Sequence, residues 1–117
     1  MFDFKVLSGF DWDEGNIRKS WLKHKVSPQE SEEVFGSRPL IILPDETHSN
    51  QTEKRFHSFG KTFSGRKLLI SLTVRKNKIR VVSARPMNFK ERTFYESYEK
   101  NPKIQKWRRG KKILGVA

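Results

Sequence analysis

The sequence predicts a small α+β domain in which helices pack on a curved antiparallel sheet, and three observations carry that prediction. Helix starts are written at Asp13, and at Ser27 with Pro28 and Glu30 behind it. Three β-prone segments follow, separated by the turn signals Ser64-Gly65 and Lys76-Asn77. A last helix is announced after Pro86, where Asn88 is followed three residues later by Glu91. A strand, two helices, a strand, a meander and a helix in that order give mixed layers around one core. A chain of 117 residues has room for one such core.

In residues 1–9, Phe2, Phe4 and Val6 alternate, as in an added edge strand or a loosely packed extension. Asp13 is an N-cap for a helix from about Glu14 to Lys25. Ile17 and Trp21 would form its inner stripe, with Arg18, Lys19, Lys23 and Lys25 around the rest. Ser27, Pro28 and Glu30 supply an N-cap, a first-turn proline and a capping-box acid for a second helix, and Gly36 is placed to end it. The run Leu40 to Leu43, bounded by Pro39 and Pro44, is too short for a helix and reads as a buried strand. Asp45 to Thr52 is a polar loop.

The meander strands are expected at about Lys54 to Phe63, Lys67 to Val74 and Lys78 to Arg85, with Asn77 suited to the left-handed turn between the last two. On the final helix Glu91, Phe94, Tyr95 and Tyr98 fall at i, i+3, i+4 and i+7, so a carboxylate shares the aromatic face. Arg80 and Arg85 are its nearest cationic partners in sequence, either as a structural clamp or as an anion site. After Pro102 the composition shifts to a tail, residues 103–117, with six Lys or Arg and no acid.

The net charge is +12, of which the tail carries half. Such a surface favours a polyanionic partner, nucleic acid ahead of an acidic membrane. With no cysteine, disulfides and thiolate metal sites are excluded, and the three histidines have no metal-ligand spacing. No apolar run has the length of a membrane span, and the acidic N-terminal stretch is unlike a signal peptide, so a cytoplasmic protein is expected.

With the elements in order, a family pattern is recognisable. It comprises Phe10, Trp12 and Asp13; Asn16; Lys23, His24 and Val26; Val34 to Gly36; Asp45; Glu53 and Arg55; Gly60; Arg80 to Arg85; and Glu91, Arg92 and Tyr95. This pattern resembles the BrnT-type toxins of the RelE-like group of small bacterial ribonucleases. The resemblance implies a toxin domain over residues 10–102, with a RelE-like arrangement of two N-terminal helices and a C-terminal helix on the sheet. It further implies cleavage of RNA and translation arrest, which the residues are expected to carry out without a metal in an arginine-lined groove, on free RNA or on ribosome-associated message. The implied partner is a cognate antitoxin of ribbon-helix-helix fold, and the complex binds operator DNA through the antitoxin. The basic tail has no counterpart in the family pattern.

Metal-free RNA cleavage needs a base for the 2′-hydroxyl, cations around the phosphate and an acid for the leaving oxygen. Arg55, Arg80 and Arg85 are the candidate phosphate ligands, against the plainer role of pairing with Glu53 or Glu91. Arg80 and Arg85 are an odd number apart, so they share a sheet face only if a bulge or strand end intervenes. His24 is the candidate acid or base, with His57 and His48 as replacements, although a histidine near a helix C-terminus often only caps or packs. Glu91 is either a base or the orienting partner of an arginine. Lys23, Glu53, Arg92 and Tyr95 are candidate RNA contacts, Tyr95 competing with a core role, and Trp107, Arg108 and Arg109 would form an RNA-binding arm. Two rivals keep the same residues: a non-catalytic RNA- or DNA-binding module, and a protein-interaction domain that receives an acidic partner.

Overall fold

The computed structural model describes residues 8–101 and the backbone of three two-residue segments, 107–108, 111–112 and 115–116. Helix α1, Glu14–His24, starts in a reciprocal capping box: the Asn16 amide donates to the Asp13 carboxylate at 2.9 Å, and the Asp13 amide donates to Asn16 Oδ1 at 2.8 Å. It stops at Lys25, whose left-handed conformation (φ 53°) turns its N–H back to the Ser20 and Trp21 carbonyls. Helix α2, Pro28–Phe35, opens with the same device between Ser27 and Glu30. Strands β1 (Ile41–Pro44), β2 (Arg55–Lys61), β3 (Lys67–Arg75) and β4 (Lys78–Pro86) follow, then helix α3, Phe89–Lys100, boxed by Asn88 and Glu91. Lys76 and Asn77 both take positive φ, 52° and 62°, as a two-residue hairpin with right-handed strand twist demands.

The sheet is antiparallel in the order β4-β3-β2-β1, and the two-residue segment Gly115–Val116 pairs with β1 on the far side. One face carries Ile42, Phe56, Leu68, Ile70, Leu72, Ile79, Val81 and Ala84, buried with Val26, just before α2, and Val34, near its end. The other face carries Ile41, Phe59 and Leu69 under Met87, Tyr95 and Tyr98 of the α3 region. The described architecture is therefore α+β, with helices on both faces of the sheet.

Gly60 sits where α2 crosses β2. A Cβ there would lie 2.6 Å from Ser37 Oγ, 2.7 Å from Val34 Cγ1 and 2.9 Å from the Val34 carbonyl, so only glycine admits this approach.

The expected inner stripe of α1 is corrected by the structure. Ile17 and Trp21 are 37% and 46% exposed, whereas Asn16 and Ser20 are buried at 6% and 4%. The reason lies in the element that α1 covers. Strand β4 is a sheet edge, and its outward polar groups need partners. Asn16 Nδ2 donates to the Val81 carbonyl at 3.1 Å, and Ser20 Oγ accepts from the Ala84 amide at 3.0 Å. A helix that caps a strand edge has to present polar residues one turn apart, and Asn16 and Ser20 have that spacing.

Residues 8–11 cover the start of the same edge. Ile79 N donates to the Gly9 carbonyl, and Asp11 N donates to the Ile79 carbonyl. Phe2, Phe4 and Val6 lie outside the described residues.

Candidate active site

The register places side chains in rows across the α3 face of the sheet. Arg55, Thr73 and Arg80 form one row; His57, Ser71 and Ser83 the next; Phe59, Leu69 and Arg85 the third. Two residues along a strand separate successive rows, about 6.8 Å. Tyr95, Tyr98 and Phe94 cover the third row, whereas in the first two Arg55, Arg80, His57, Ser71 and Ser83 are half-buried and only Thr73 is buried.

The strand-parity conflict is resolved by a bulge. Ser71 pairs with Ser83 and Leu72 with Val81, so Val82 is an extra residue in β4. It restores Arg80 and Arg85 to one face although five positions separate them.

At the first row lies an open cleft of about 520 Å³, lined by Arg55, Arg75, Arg80 and Lys19 together with Asp13 and Glu53. Arg80 reaches Asp13 at 2.7 Å and Asp11 at 3.5 Å, which holds its pKa above the ordinary guanidinium value, chiefly through the Asp13 hydrogen bond. Glu53 accepts from Arg75 at 3.0 Å, a bond that lowers the Glu53 pKa. Arg55 Nε is buried with no hydrogen-bond partner, and its nearest carboxylate oxygen, on Glu53, is 3.9 Å away. Nε itself is closed to solvent, and it is the exposed part of the Arg55 side chain, 30% of it, that faces the cleft.

In the second row His57 bridges strand and loop. Its Nδ1 is 3.2 Å from Ser71 Oγ, and its Nε2 is 3.1 Å from Asp45 Oδ2. His48 Nδ1 lies 2.8 Å from the same Asp45 oxygen. Burial lowers the pKa of His57, against the raising effect of Asp45 and Glu91.

At the third row Arg85 and Glu91 form a two-pronged pair, at 2.8 and 2.9 Å. Glu91 Oε1 also accepts from the Asn88 amide at 2.8 Å. Burial would raise the Glu91 pKa, but the Arg85 and Asn88 bonds outweigh it and the net shift is downward.

The candidates from the sequence are therefore distributed unevenly. Arg55, Arg80 and Glu53 line the cleft, and Arg85 with Glu91 closes the far end of the open face. Lys23 is exposed one turn beyond Lys19, on the α1 flank that meets the cleft. His24 lies elsewhere, at the junction of α1 and α2, where Arg66 links its carbonyl to the Glu30 carboxylate. Arg92 is exposed and donates to the Met87 carbonyl at 2.8 Å.

Tyr95 is fully buried and donates to the Pro39 carbonyl at 2.5 Å, and burial pushes its pKa up to about 12. It has no open ring face for a base. The side chains of Trp107 and Arg108, and all of Arg109, lie outside the described residues. Sequence reading did not single out Arg75, Ser71 or the link between Asp45 and His57. Period-two alternation from Arg55 was the available signal for His57, and from Thr73 for Arg75.

Among the described residues no cluster of His, Asp or Glu could hold a metal ion, and no helix is long and apolar enough to cross a membrane. A family model described as the ribonuclease toxin, BrnT, of type II toxin-antitoxin systems matches residues 12–91. The chain belongs to this family. BrnT membership implies a ribonuclease toxin with RNA as substrate and a cognate antitoxin as partner. The matched BrnT segment begins at Trp12 and ends at Glu91, so it contains all three rows, the cleft and the arginine-glutamate pair. No curated protein matches this BrnT chain.

Proposed function

We propose that this toxin is a metal-independent endoribonuclease that binds RNA along the open face of the sheet and, in the cytoplasm, cuts message, on or off the ribosome, to arrest translation. A small antitoxin with a ribbon-helix-helix fold neutralises it, and operator DNA is reached only through that complex. The observation that supports this reading best is the cleft row, in which Arg55, Arg75 and Arg80 line one open cleft.

Arginine keeps its charge at any working pH and presents donors matched to phosphate oxygens. Donors fixed before the substrate arrives stabilise the extra charge on phosphorus in the transition state without reorganising. Asp13 and Glu53 hold Arg80 and Arg75 in position, as Glu91 holds Arg85.

Incubation with single-stranded RNA in EDTA, with and without ribosomes, tests the reading against an Arg55→Ala, Arg80→Ala double variant. Loss of preorganised donors typically costs about 10²–10³-fold in rate, and that loss is expected in the double variant. Salt-sensitive RNA binding with no fragments under either condition would instead make the chain a non-catalytic nucleic-acid module. Fragments that appear only when a divalent ion is added would remove the metal-independent part.

A further inference from the structure

The second row holds a hydrogen-bonded chain for which the arginine cleft has no use: Ser71 Oγ, His57 Nδ1, His57 Nε2, Asp45 Oδ2 and His48 Nδ1 in succession. Building on the nuclease reading above, we propose that His57 is the general base of the cleavage, with Asp45 and His48 as the residues that position it.

The tautomer follows from the partners. An ionised carboxylate can only accept, so the ring nitrogen facing Asp45 carries the proton. His57 Nδ1 is then the bare nitrogen, and it points at the Ser71 hydroxyl, 3.2 Å away in the open row. Asp45 is fixed in turn. Its amide donates to the Arg55 carbonyl at 2.8 Å, and its carboxylate accepts both the His48 ring at 2.8 Å and the His48 amide at 3.3 Å. Burial alone would raise the Asp45 pKa, yet the His48 hydrogen bond and the charges of both histidines bring it below the ordinary value. Asp45 is thus charged when a proton arrives on His57.

The groups acting on His57 come from each neighbouring element. Asp45 and His48 belong to the loop after β1, Glu91 to α3, Arg85 to β4, and Ser71 to β3. Their charges partly cancel, and desolvation, the largest influence, keeps the ring neutral near pH 7. A neutral imidazole with an oriented free nitrogen is the form a base requires.

Position supports the same role. His57 stands one row from Arg55 and Arg80 and one row from Arg85, so a phosphate held by either set brings its ribose to the imidazole. A purely structural role, pinning the loop, is already filled by other bonds. Ser49 Oγ donates to the Asp45 carbonyl and accepts from the Arg55 amide, and Asn50 Oδ1 accepts from the amides of Thr52 and Glu53.

In the step itself the RNA 2′-hydroxyl takes the place of the Ser71 hydroxyl at Nδ1. The proton passes to Nδ1, the O2′ electron pair forms the bond to phosphorus, and the P–O5′ bond breaks. The departing O5′ takes a proton from water. The products are a 2′,3′-cyclic phosphate, a 5′-hydroxyl and a solvent hydroxide that the imidazolium proton neutralises.

The test measures kcat, KM and the pH-rate profile for wild type, His57→Ala, Asp45→Asn and the Arg55→Ala, Arg80→Ala double variant on one RNA oligonucleotide. Loss of a general base typically costs about 10²-fold or more. The His57→Ala variant should lose that factor in kcat with KM nearly unchanged, lose the acidic limb of the profile, and recover part of the rate with added imidazole. In Asp45→Asn the new amide would donate to Nε2 and drive the proton onto Nδ1, so kcat should fall with KM intact.

A fall in rate from misfolding is separated by a 15N titration of the wild-type imidazoles with and without an RNA whose scissile O5′ is replaced by CH2, which keeps the 2′-hydroxyl and cannot be cut. The His57 Nδ1 resonance should move on binding. A fixed Nδ1 resonance, or a His57→Ala variant within about twofold of wild type and with its acidic limb, would overturn the assignment. Where the double arginine variant is inactive and His57→Ala is not, the nuclease reading survives without this base; where wild type makes no fragments, both fall.

Discussion

Replacing Asn16 with alanine should destabilise the fold more than replacing Ile17 with alanine, the reverse of what an amphipathic helix would give. Asn16 makes three bonds: it donates to the Asp11 carbonyl at 3.0 Å and to the Val81 carbonyl at 3.1 Å, and accepts from the Asp13 amide at 2.8 Å. Truncation leaves the Val81 acceptor without its partner beneath the helix, at about 1–3 kcal/mol. Losing half of the capping box adds about 1 kcal/mol. The total is about 2–4 kcal/mol, a large share of the 5–15 kcal/mol typical of a domain. Ile17, 37% exposed, should lose about 1–2 kcal/mol of partial burial. In urea, with m about 1.5 kcal/mol/M, the Asn16→Ala midpoint should fall by roughly 1.3–2.7 M with m unchanged. A larger midpoint loss for Ile17→Ala than for Asn16→Ala would refute the edge-capping account of α1.

Gly60→Ala drives a methyl group into Val34 and Ser37 where α2 meets β2, and should cost about 1–3 kcal/mol by urea denaturation. Arg80→Ala should weaken RNA binding across sequences and lower the salt slope by about one, measured by fluorescence anisotropy at several ionic strengths. The Glu91 pKa is depressed in the folded chain, so its stabilisation is full above the ordinary value of 4.5 and is lost as pH falls through the folded value. Thermal midpoints of wild type and Glu91→Gln should therefore differ near pH 7 and converge as pH falls through the depressed folded value. Tyr95→Phe removes the bond to the Pro39 carbonyl and should cost about 1 kcal/mol while leaving RNA affinity unchanged, because the ring is buried.

Local chemistry made much of this fold legible in the sequence. The three helix starts at Asp13, Ser27 and Asn88 stand where the capping residues placed them, because a cap is a contact within four residues. The hairpin at Lys76-Asn77 was readable for the same reason. What escaped was set by distant partners. Hydrophobic periodicity assumes that a helix is buried by apolar contact, and so it chose Ile17 and Trp21 over Asn16 and Ser20. The contact between His57 and Asp45 depends on the register that sets Leu43 against His57, which no local pattern encodes. The Val82 bulge was foreseen only as a condition for Arg80 and Arg85 to share a face. His24 drew attention through its neutral-range pKa class, whereas proximity to the arginines belongs to His57.

The outer margin of β4 has a consequence for assembly. The Asn77 and Ile79 carbonyls and the Ile79 amide are taken by the backbone of residues 8–11, and the Val81 carbonyl and Ala84 amide by side chains of α1. Among the described residues, those bonds leave little of that margin as a template for a further strand. Unlike an open edge, which any extended peptide can lengthen, this seam is closed by groups that must first be unzipped. Among the described residues, a chain that extends the sheet meets fewer bonds to break on the β1 side, where only Ile41 and Ile42 are paired, with Val116 and Gly115. A ribbon added on that side lies at the opposite margin from β4 and leaves the arginine face there clear.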